Sequence, residues 1–407
     1  MKLITFFAFV TLFPFGRDSL HAQWFLQSSG TTTTLGSVSF SDTRTGTTAG
    51  AGGLILRTTD SGATWSSKAS GVTVDLFGIH FVNASTGAAV GFLGTILRTT
   101  NGGSAWTTQA SGTTNFLASV YFVDVSNGYA VGDGGTILHT TNGGSSWVPQ
   151  ASGTTRTLSC VCLNSPSVGI VVGSNGTILR TTNGGATWAA QASGTTNFLS
   201  SVSFGDANTA FTVGANGTVL KSTNGGVTWS AQASGTSNYL SGVSLTGTNI
   251  GAIVGANGTI LRTTNGGSQW VSQASGTTSQ LNGVVFTSAD TGTAVGAGGA
   301  ILHTTNGGNA TGVDVIKQHI EGFSLQQNYP NPFNPTTRIV FSLGKQSRMS
   351  IVVFDVLGRE MATLLDQEKE PGTYAISLDA TSWPGGAYFY RITTAYFSVT
   401  KRMVLLK

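Results

Sequence analysis

Charged side chains are scarce in this chain of 407 residues: Asp, Glu, Lys and Arg make up 9% of it, and the formal net charge is only +4. The basic residues are spread along the chain, so neither a nucleic acid nor an anionic membrane surface is an expected partner. No segment reaches the roughly 20 consecutive apolar residues of a membrane-spanning helix, so no membrane insertion is expected.

Cysteine and methionine are also rare, with 2 and 4 residues. Cys160 and Cys162 lie two apart in a strand-like run, so their side chains share one face but are too far apart along it for easy bridging. We interpret them as two small buried residues, because a metal or redox site would need further Cys or His ligands nearby. The sequence therefore predicts no metal site and no cofactor.

Glutamate is absent from the whole stretch between Gln23 and Gly312. The acidic residues there are Asp42, Asp60, Asp75, Asp124, Asp133, Asp206 and Asp290. Hydrolysis of glycosidic bonds usually needs two carboxylates, or a Tyr nucleophile with Glu, converging on one pocket. The scattered Asp residues offer no such pair, so we expect no enzyme.

Residues 1 to 22 have the pattern of a secretory signal peptide. Lys2 forms a short basic start, an apolar stretch runs from Leu3 to Phe15, and small residues precede a plausible cut after Ala22. The chain is therefore expected to be exported.

Glycine is abundant instead, with 57 residues, and tryptophan recurs with a period of 41. The seven repeated tryptophans are Trp24, Trp65, Trp106, Trp147, Trp188, Trp229 and Trp270. A turn that opens with Asp or Asn recurs with the same period at Asp60, Asn101, Asn142, Asn183, Asn224, Asn265 and Asn306. The first Trp has no turn before it, and the last turn is followed by Thr311 in place of Trp.

These complementary ends indicate a ring in which the N-terminal strand completes the last unit. Residues 201 to 235 hold four strand signals separated by Gly and Asn turns, which is the signature of a propeller blade. The sequence thus predicts an all-β fold, with a seven-bladed β-propeller over residues 23–312. A β-solenoid is the alternative for this segment, but it would need no ring closure.

The turn segments Thr59–Trp65 and Thr182–Trp188 resemble the Asp-box (BNR) repeat. With Val171–Gly173 and Gly176–Arg180, the unit is similar to the propellers of the photosystem II stability/assembly factor family. That resemblance implies a non-catalytic binding scaffold, with an assembly factor or chaperone for a membrane complex as an alternative. Only Asp60 keeps the acidic residue, and we expect the box to be structural because Asp and Asn side chains bond backbone N–H groups two residues on. Asp-box propellers include sialidases, so a sialidase-like glycoside hydrolase is a further alternative, disfavoured by the missing carboxylates.

The tail has a different composition, with a predicted linker at 313–322 and a predicted domain at 323–407. Five or more strand-like runs suggest a small immunoglobulin-like β-sandwich. Tyr329–Pro335, Asp355–Arg359, Gly386–Arg391 and Lys401–Leu405 resemble the motifs of a type IX secretion system C-terminal sorting domain. The candidate sorting residues are Pro330, Asn331, Pro332, Gly358, Arg359, Gly386 and Lys401. The resemblance implies contact with the type IX machinery and a secreted or cell-surface location.

One basic side chain per repeat forms a possible ring. Its members are Arg57, Arg98, His139, Arg180, Lys221, Arg262 and His303. Such a ring could attract an anionic partner. Alternatively, each cation stacks on the neighbouring Trp or bonds a blade-edge carbonyl, which would serve folding alone.

Positions that differ between repeats form a second candidate surface. Two loop types that emerge on the same face of a propeller carry Phe92, Phe116, Asp133, Arg156, Phe198 and Tyr239. Aromatic rings beside Asn and Arg suit a sugar or a peptide. We therefore expect a monomeric scaffold that binds a protein or glycan at the cell surface, although the aromatics could instead be tucked into grooves between blades.

Overall fold

The computed structural model describes residues 24–308, 324–394 and 398–407. The predicted signal peptide at 1–22 and the predicted linker at 313–322 lie outside these residues. The chain divides into two compact units between Asn309 and Ala310. The first unit contains the 41-residue repeats, and the second contains the tail.

Seven four-stranded antiparallel sheets make up the first unit, which confirms the predicted seven-bladed propeller. Blades 1 to 3 are β2 (Leu35–Phe40), β3 (Gly46–Gly50), β4 (Ile55–Thr58) and β5 (Ser66–Lys68); β6 (Leu76–Phe81), β7 (Gly87–Gly91), β8 (Ile96–Thr99) and β9 (Thr107–Gln109); β10 (Leu117–Phe122), β11 (Gly128–Gly132), β12 (Ile137–Thr140) and β13 (Val148–Gln150). Blades 4 to 6 are β14 (Leu158–Leu163), β15 (Gly169–Gly173), β16 (Ile178–Thr181) and β17 (Ala189–Gln191); β18 (Leu199–Phe204), β19 (Ala210–Gly214), β20 (Val219–Ser222) and β21 (Ser230–Gln232); β22 (Leu240–Leu245), β23 (Gly251–Gly255), β24 (Ile260–Thr263) and β25 (Val271–Gln273). Blade 7 combines β26 (Leu281–Phe286), β27 (Gly292–Gly296) and β28 (Ile301–Thr304) with β1 (Phe25–Gln27).

The first strand of each blade is innermost, because neighbouring first strands contact one another around the whole ring. A β-bulge interrupts each of these inner strands at its start, for example between Leu117 and Ser119 in blade 3. A short 3-10 helix joins the second and third strands of every blade. These helices span Ala51–Gly53, Phe92–Gly94, Asp133–Gly135, Ser174–Gly176, Ala215–Gly217, Ala256–Gly258 and Ala297–Gly299. Two faces result: one carries these helices and the links between blades, and the other carries the Asp boxes.

Ring closure is achieved by β1, which pairs with β28 in the register Phe25 to His303 and Gln27 to Ile301. Trp24, just before β1, is completely buried, and its ring lies edge-on to Phe286 at 5.7 Å. Its indole N–H donates to Gln273 Oε1 of blade 6 at 2.9 Å. The N-terminal strand therefore completes the last blade, as the out-of-phase ends predicted.

Five of the six Trp residues that follow an Asp box pack against an aromatic ring, namely Trp65, Trp106, Trp147, Trp188 and Trp270, and this ring comes either from the same blade or from the previous one. In blade 2 it is Phe81, the last residue of the inner strand, whose ring centroid lies 5.8 Å from that of Trp106. Blade 4 has Leu163 at this position, and Trp188 packs instead against Tyr129 of blade 3 at 6.2 Å. The previous blade thus fills the space that the smaller leucine leaves.

Blade 6 repeats this exchange with different residues. Leu245 stands at the phenylalanine position, and Trp270 packs edge-on against Phe211 of blade 5 at 5.6 Å. Both Phe211 and Tyr129 are almost completely buried. Because interiors are close-packed, a missing ring in one blade calls for an added ring in its neighbour.

The second unit is a small β-sandwich, as predicted. Its three-stranded sheet has the order β29 (Ser324–Leu325), β30 (Thr336–Leu343) and β33 (Gly372–Asp379). Its four-stranded sheet has the order β32 (Glu360–Lys369), β31 (Ser347–Phe354), β34 (Gly386–Thr394) and β35 (Ser398–Leu405). Side chains from both sheets, including Ile339, Val353 and Tyr390, form the core. The sequence runs did not indicate β32, because this edge strand is rich in charged residues.

Removing the Trp24 side chain tests the closure. We expect Trp24→Ala to lower the free energy of unfolding by about 3–5 kcal/mol, because the buried ring and its contacts across blades 6 and 7 are lost. The exposed Leu26→Ala, two residues away, is the matched control and should change it by less than about 0.5 kcal/mol. Thermal melts followed by circular dichroism measure both, and equal melting temperatures for the two variants would contradict the closing role of Trp24.

Moving the aromatic ring from position 129 of blade 3 to position 163 of blade 4 tests whether Tyr129 compensates for the smaller Leu163. Tyr129→Ala should destabilise by about 3–5 kcal/mol, and Leu163→Phe alone by about 1–3 kcal/mol through overpacking. The double variant should be more stable than the sum of the two effects by at least about 1 kcal/mol, because the introduced phenyl ring would occupy the space beside Trp188. Strictly additive losses in denaturant titrations would show that the two positions are independent.

Candidate functional site

The Asp-box face is built from seven nearly identical turns. In blade 1, Thr64 N–H donates to Asp60 Oδ1 at 2.9 Å, and Gly62 N–H donates to Thr58 Oγ1 at 2.9 Å. Hydrogen bonds from the Thr64 side chain and backbone lower the pKa of Asp60 to about 2. The box side chain thus bonds the N–H four residues on, and not two as expected from the sequence. Asn183 makes the same bond to Thr187 N–H at 3.0 Å, so the amide replaces the carboxylate without loss of this contact.

In several blades, the side chain at the basic position contacts the Asp box of the next blade. Arg180 Nε donates to the Gly225 carbonyl at 2.7 Å, and Lys221 Nζ donates to the Gly266 carbonyl at 2.6 Å. All seven side chains of the set are buried or half-buried. These contacts are of the kind expected if the basic side chains serve folding by bonding carbonyls at the blade edge. Attraction of an anionic partner by this set stays a prediction.

Blade 3 replaces the long cation by a pair of residues. His139 stacks on Tyr129, with ring centroids 4.4 Å apart and planes 12° from parallel. The Tyr129 hydroxyl donates to the Gly184 carbonyl at 2.8 Å, the bond that an arginine makes elsewhere. In blade 7, His303 Nδ1 instead lies 3.1 Å from Thr293 Oγ1, and in blade 6 the Arg262 guanidinium stacks on Phe286 at 4.6 Å.

A second set of unusual residues lies between the inner strands. In four blades the fifth residue of the inner strand accepts a hydrogen bond from the next blade, as Ser39 Oγ does from Phe81 N–H at 2.9 Å. His80 holds this position in blade 2, and its Nδ1 accepts from Phe122 N–H at 3.2 Å. Burial lowers the pKa of His80 to about 4, so the imidazole is neutral near pH 7.

Tyr121 and Cys162 hold the equivalent positions in blades 3 and 4. The His80 and Tyr121 rings lie 4.5 Å apart. The neighbouring Cys162 thiol and burial raise the pKa of Tyr121, while burial raises the pKa of Cys162 to about 12. Both cysteines are free thiols, and they are half-buried where the sequence predicted buried residues. Both are protonated near neutral pH, because desolvation also raises the pKa of Cys160.

The opposite face, here called the loop face, carries the residues that differ between blades. In every blade the residue before the inner strand accepts a backbone hydrogen bond from the first residue of the 3-10 helix. Phe92 N–H thus donates to the Asp75 carbonyl at 3.1 Å, and Asp133 N–H to the Phe116 carbonyl at 2.9 Å. This bond fixes the two loop types side by side, which is why variable residues of both meet there.

Three phenylalanine rings meet on the loop face where blades 2 and 3 adjoin. Phe77, Phe92 and Phe116 form this aromatic cluster, with pairwise ring centroid distances of 4.8, 5.0 and 5.1 Å. Phe77 and Phe92 remain 37% and 42% exposed, respectively, and the adjacent Leu93 is 69% exposed. Phe77 and Phe92 are therefore partly exposed to solvent where the two blades adjoin.

Leu93 has a strained backbone as well as an exposed side chain. The middle residue of each 3-10 helix has a positive φ, and the other six blades place Gly or Asn there, residues that tolerate this conformation. Leu93 has φ +55° in the same position. A strained, exposed apolar residue contributes nothing to packing, which favours a role in binding.

The remaining predicted loop residues are placed apart from this cluster, except for Asp133. Phe198 and Tyr239 form a separate half-buried pair with ring centroids 6.4 Å apart in blades 5 and 6. Arg156 donates to Thr177 Oγ1 at 3.3 Å, as Asn197 does to Thr218 Oγ1 at 2.8 Å, so it serves the link between its loop and strand.

Phe77 and the adjacent Leu93 were not predicted from the sequence as members of the site. Phe77 lies inside an inner strand, where an apolar residue is unremarkable, and Leu93 lies in a loop whose left-handed φ the sequence does not display. A signal existed for both, because the equivalent positions hold small or turn-forming residues, such as Gly36 and Asn175.

The predicted sorting residues stabilise the last strand of the sandwich or shape its turns. Asn331 lies between two cis peptide bonds, which precede Pro330 and Pro332. Its side-chain Oδ1 accepts a hydrogen bond from Val404 N–H at 2.9 Å. Arg359 Nε pairs with Asp355 Oδ2 at 2.7 Å around the turn that contains Gly358, which has φ +78°. Gly386 begins β34, and Lys401 lies half-buried in β35.

Within the described ranges, no group of three or more His, Cys, Asp or Glu side chains is arranged to hold a metal ion. In the same ranges, no helix is both long and apolar enough to cross a membrane. The geometry offers hydrogen-bonded turns and exposed aromatic rings, which suit non-covalent binding.

Comparison with known families gives matches for both units. The family described as photosynthesis system II assembly factor YCF48 matches residues 69–151, 149–232 and 188–272, which together cover half of the chain. The family described as secretion system C-terminal sorting domain matches residues 327–406. Both resemblances inferred from the sequence are thereby confirmed. No curated protein matches the chain.

Solved structures support the fold of the first unit. A structure of YCF48 bound to D1 peptide is 19% identical, has a TM-score of 0.61, and aligns over 70% of this chain and 96% of its own. YCF48 from Cyanidioschyzon merolae is 20% identical, with a TM-score of 0.60 over 70% of this chain and 99% of its own. The WD40 repeats of RRP9 reach a TM-score of 0.58 at 11% identity over 70% and 99%. At these identities the likeness extends to the fold alone.

The desolvated imidazole of His80 makes stability depend on pH. The pKa of His80 is about 4 in the folded chain and near 6.5 when unfolded, so the unfolded state takes up a proton first as pH falls. Stability should be unaffected above about pH 6.5 and fall by up to about 1.4 kcal/mol per pH unit between 6.5 and 4. His80→Ser, which retains the hydrogen-bond acceptor used in other blades, should flatten this dependence. Parallel pH profiles for parent and variant, measured by denaturant titration, would contradict it.

Proposed function

The chain belongs to the photosynthesis system II assembly factor YCF48 family, and from that membership we propose that it is an exported, non-enzymatic scaffold that binds a protein partner through its loop face. The observation that carries the proposal is the exposed aromatic cluster of Phe77, Phe92 and Phe116. The sorting domain points to secretion or the cell surface as the place of action.

Several features support binding without chemistry. Asp42, Asp124 and Asp206 each accept backbone N–H groups in equivalent turns of the Asp-box face, so their carboxylates serve local structure. The loop face instead presents rings that bury apolar area on contact, and such rings dominate binding energies at protein interfaces.

A protein partner is favoured over a glycan by the character of the patch. Leu93 extends the three rings with an aliphatic side chain, and aliphatic side chains offer no stacking face for a sugar. The related YCF48 structure that holds a D1 peptide supports a polypeptide as the kind of ligand that a propeller of this family can bind. The identity of the peptide does not transfer to this chain, because the likeness at 19% identity concerns the fold.

Substitution of the cluster tests the proposal. The full chain and a Phe92→Ala/Phe116→Ala variant are used as baits against cell-envelope and culture fractions of the producing organism. We expect capture of a partner to fall about tenfold in the variant, because buried aromatic anchors carry most of an interface's energy. A Val148→Ala/Val271→Ala variant, which truncates exposed apolar residues of outer strands, is the matched control and should capture as the parent does.

A third bait, Phe198→Ala/Tyr239→Ala, separates the two aromatic groups of the loop face. Loss of capture by this variant alone would move the site to blades 5 and 6. Capture that survives protease but not periodate treatment of the fractions would identify a glycan. Unchanged capture by all variants would refute binding through the loop face.

A further inference from the structure

Carboxylates flank the aromatic cluster on both sides. The backbone bonds that pair the two loop types join Asp75 to Phe92 in blade 2 and Phe116 to Asp133 in blade 3. Phe92 and Phe116 are thus each joined by a backbone hydrogen bond to an Asp residue. The residues at the same two positions in the other five blades are Thr34 and Ala51, Thr157 and Ser174, Phe198 and Ala215, Tyr239 and Ala256, and Gln280 and Ala297. No other blade combines an acid with an aromatic ring at these two sequence positions.

Each of these carboxylates has one oxygen held in place. Asp75 Oδ1 accepts a hydrogen bond from Gly52 N–H at 2.7 Å, and Asp133 Oδ1 accepts one from Thr157 Oγ1 at 2.8 Å. In the described part of the chain, neither residue forms an ion pair. Both carboxylates are therefore positioned by the fold and are not neutralised by a cation of the described residues.

Positioned acids beside exposed phenyl rings define a particular ligand chemistry. The face of an aromatic ring attracts a cation, and carboxylates on the same loop face add a longer-range electrostatic attraction. Leu93 and the ring edges offer apolar area next to the charges. The patch is thus complementary to a side chain that is cationic at its tip and apolar along its stem, such as Lys or Arg, followed by an apolar residue.

We propose that the acid-flanked aromatic cluster binds an extended segment of a partner protein in which Lys or Arg alternates with apolar residues. This inference rests on the proposed function, since it names the chemistry of the partner that the loop face binds. The cation lies over the rings between Asp75 and Asp133, and the apolar residue packs on Leu93. The acidic surface also disfavours segments that carry Asp or Glu, which gives the site a charge preference.

Three labelled hexapeptides test this preference with the full chain. One alternates arginine with leucine and phenylalanine, and the other two carry glutamine or glutamate in place of arginine. Fluorescence anisotropy at low and at high salt should show the tightest binding for the arginine peptide, with an affinity that falls as salt rises. The glutamine peptide should bind more weakly, and the glutamate peptide weakest.

Charge-removing variants identify the groups responsible. Asp75→Asn/Asp133→Asn retains both hydrogen-bond acceptors, so the fold should be unchanged, and it should weaken the arginine peptide about fivefold while leaving the glutamine peptide unaffected. Asp206→Asn removes one charge from the opposite face and is the matched control. Phe116→Ala should weaken both the arginine and the glutamine peptides.

Equal affinity of the three peptides, or an unchanged preference in Asp75→Asn/Asp133→Asn, would overturn the inference. If no peptide binds while capture of a partner still depends on Phe92 and Phe116, the chemistry assigned here is wrong and the proposed function stands. If capture does not depend on those residues either, the proposed function fails as well. Circular dichroism melts of each variant show whether a loss of binding reflects unfolding.

Discussion

The packing of one blade on the next is the constraint on which the rest of the structure depends. A four-stranded blade has two apolar faces and cannot bury both by itself, so every blade needs a neighbour on each side. The recurring geometry of this interface has three parts: a Trp against an aromatic ring, a cation or hydroxyl on the next Asp-box carbonyl, and an inner-strand acceptor for the next blade's N–H. A ring satisfies all blades equally only if it closes, which is why β1 joins β28 and Trp24 is completely buried.

This constraint decides where the sequence can vary. At positions inside the interface, a change in one blade is accompanied by a change in its neighbour: Tyr129 fills the space beside Trp188 left by Leu163, and its hydroxyl also bonds the carbonyl that an arginine bonds elsewhere. At the loop face the varied side chains are half-buried or exposed, so packing restricts them less. Residues there that carry a cost without a packing benefit, as Leu93 does with its positive φ, are therefore the most informative about function.

Most of the fold could be predicted from the 41-residue period, because the period fixes the blades, their number and their closure together. The edge strand β32 could not, since it carries charged residues that protect a sheet edge and that resemble a loop in sequence. The candidate site was predicted in part. Phe92, Phe116 and Asp133 were found as differences between repeats, whereas Phe77 and Leu93 were missed because their side chains match the strand and loop patterns around them.

The sequence by itself determined the architecture of both units and the sorting motifs in the tail, because repeat spacing and short ordered motifs are local features that read directly from the chain. Only the tertiary structure decided which of the varied residues act together. Phe77, Phe92 and Phe116 come from two adjacent blades, and their rings meet because the packing of blade 3 on blade 2 places the residue before β10 beside β6 and the 3-10 helix of blade 2. Contact between these residues depends on the packing of one blade on the next, and no local pattern encodes it.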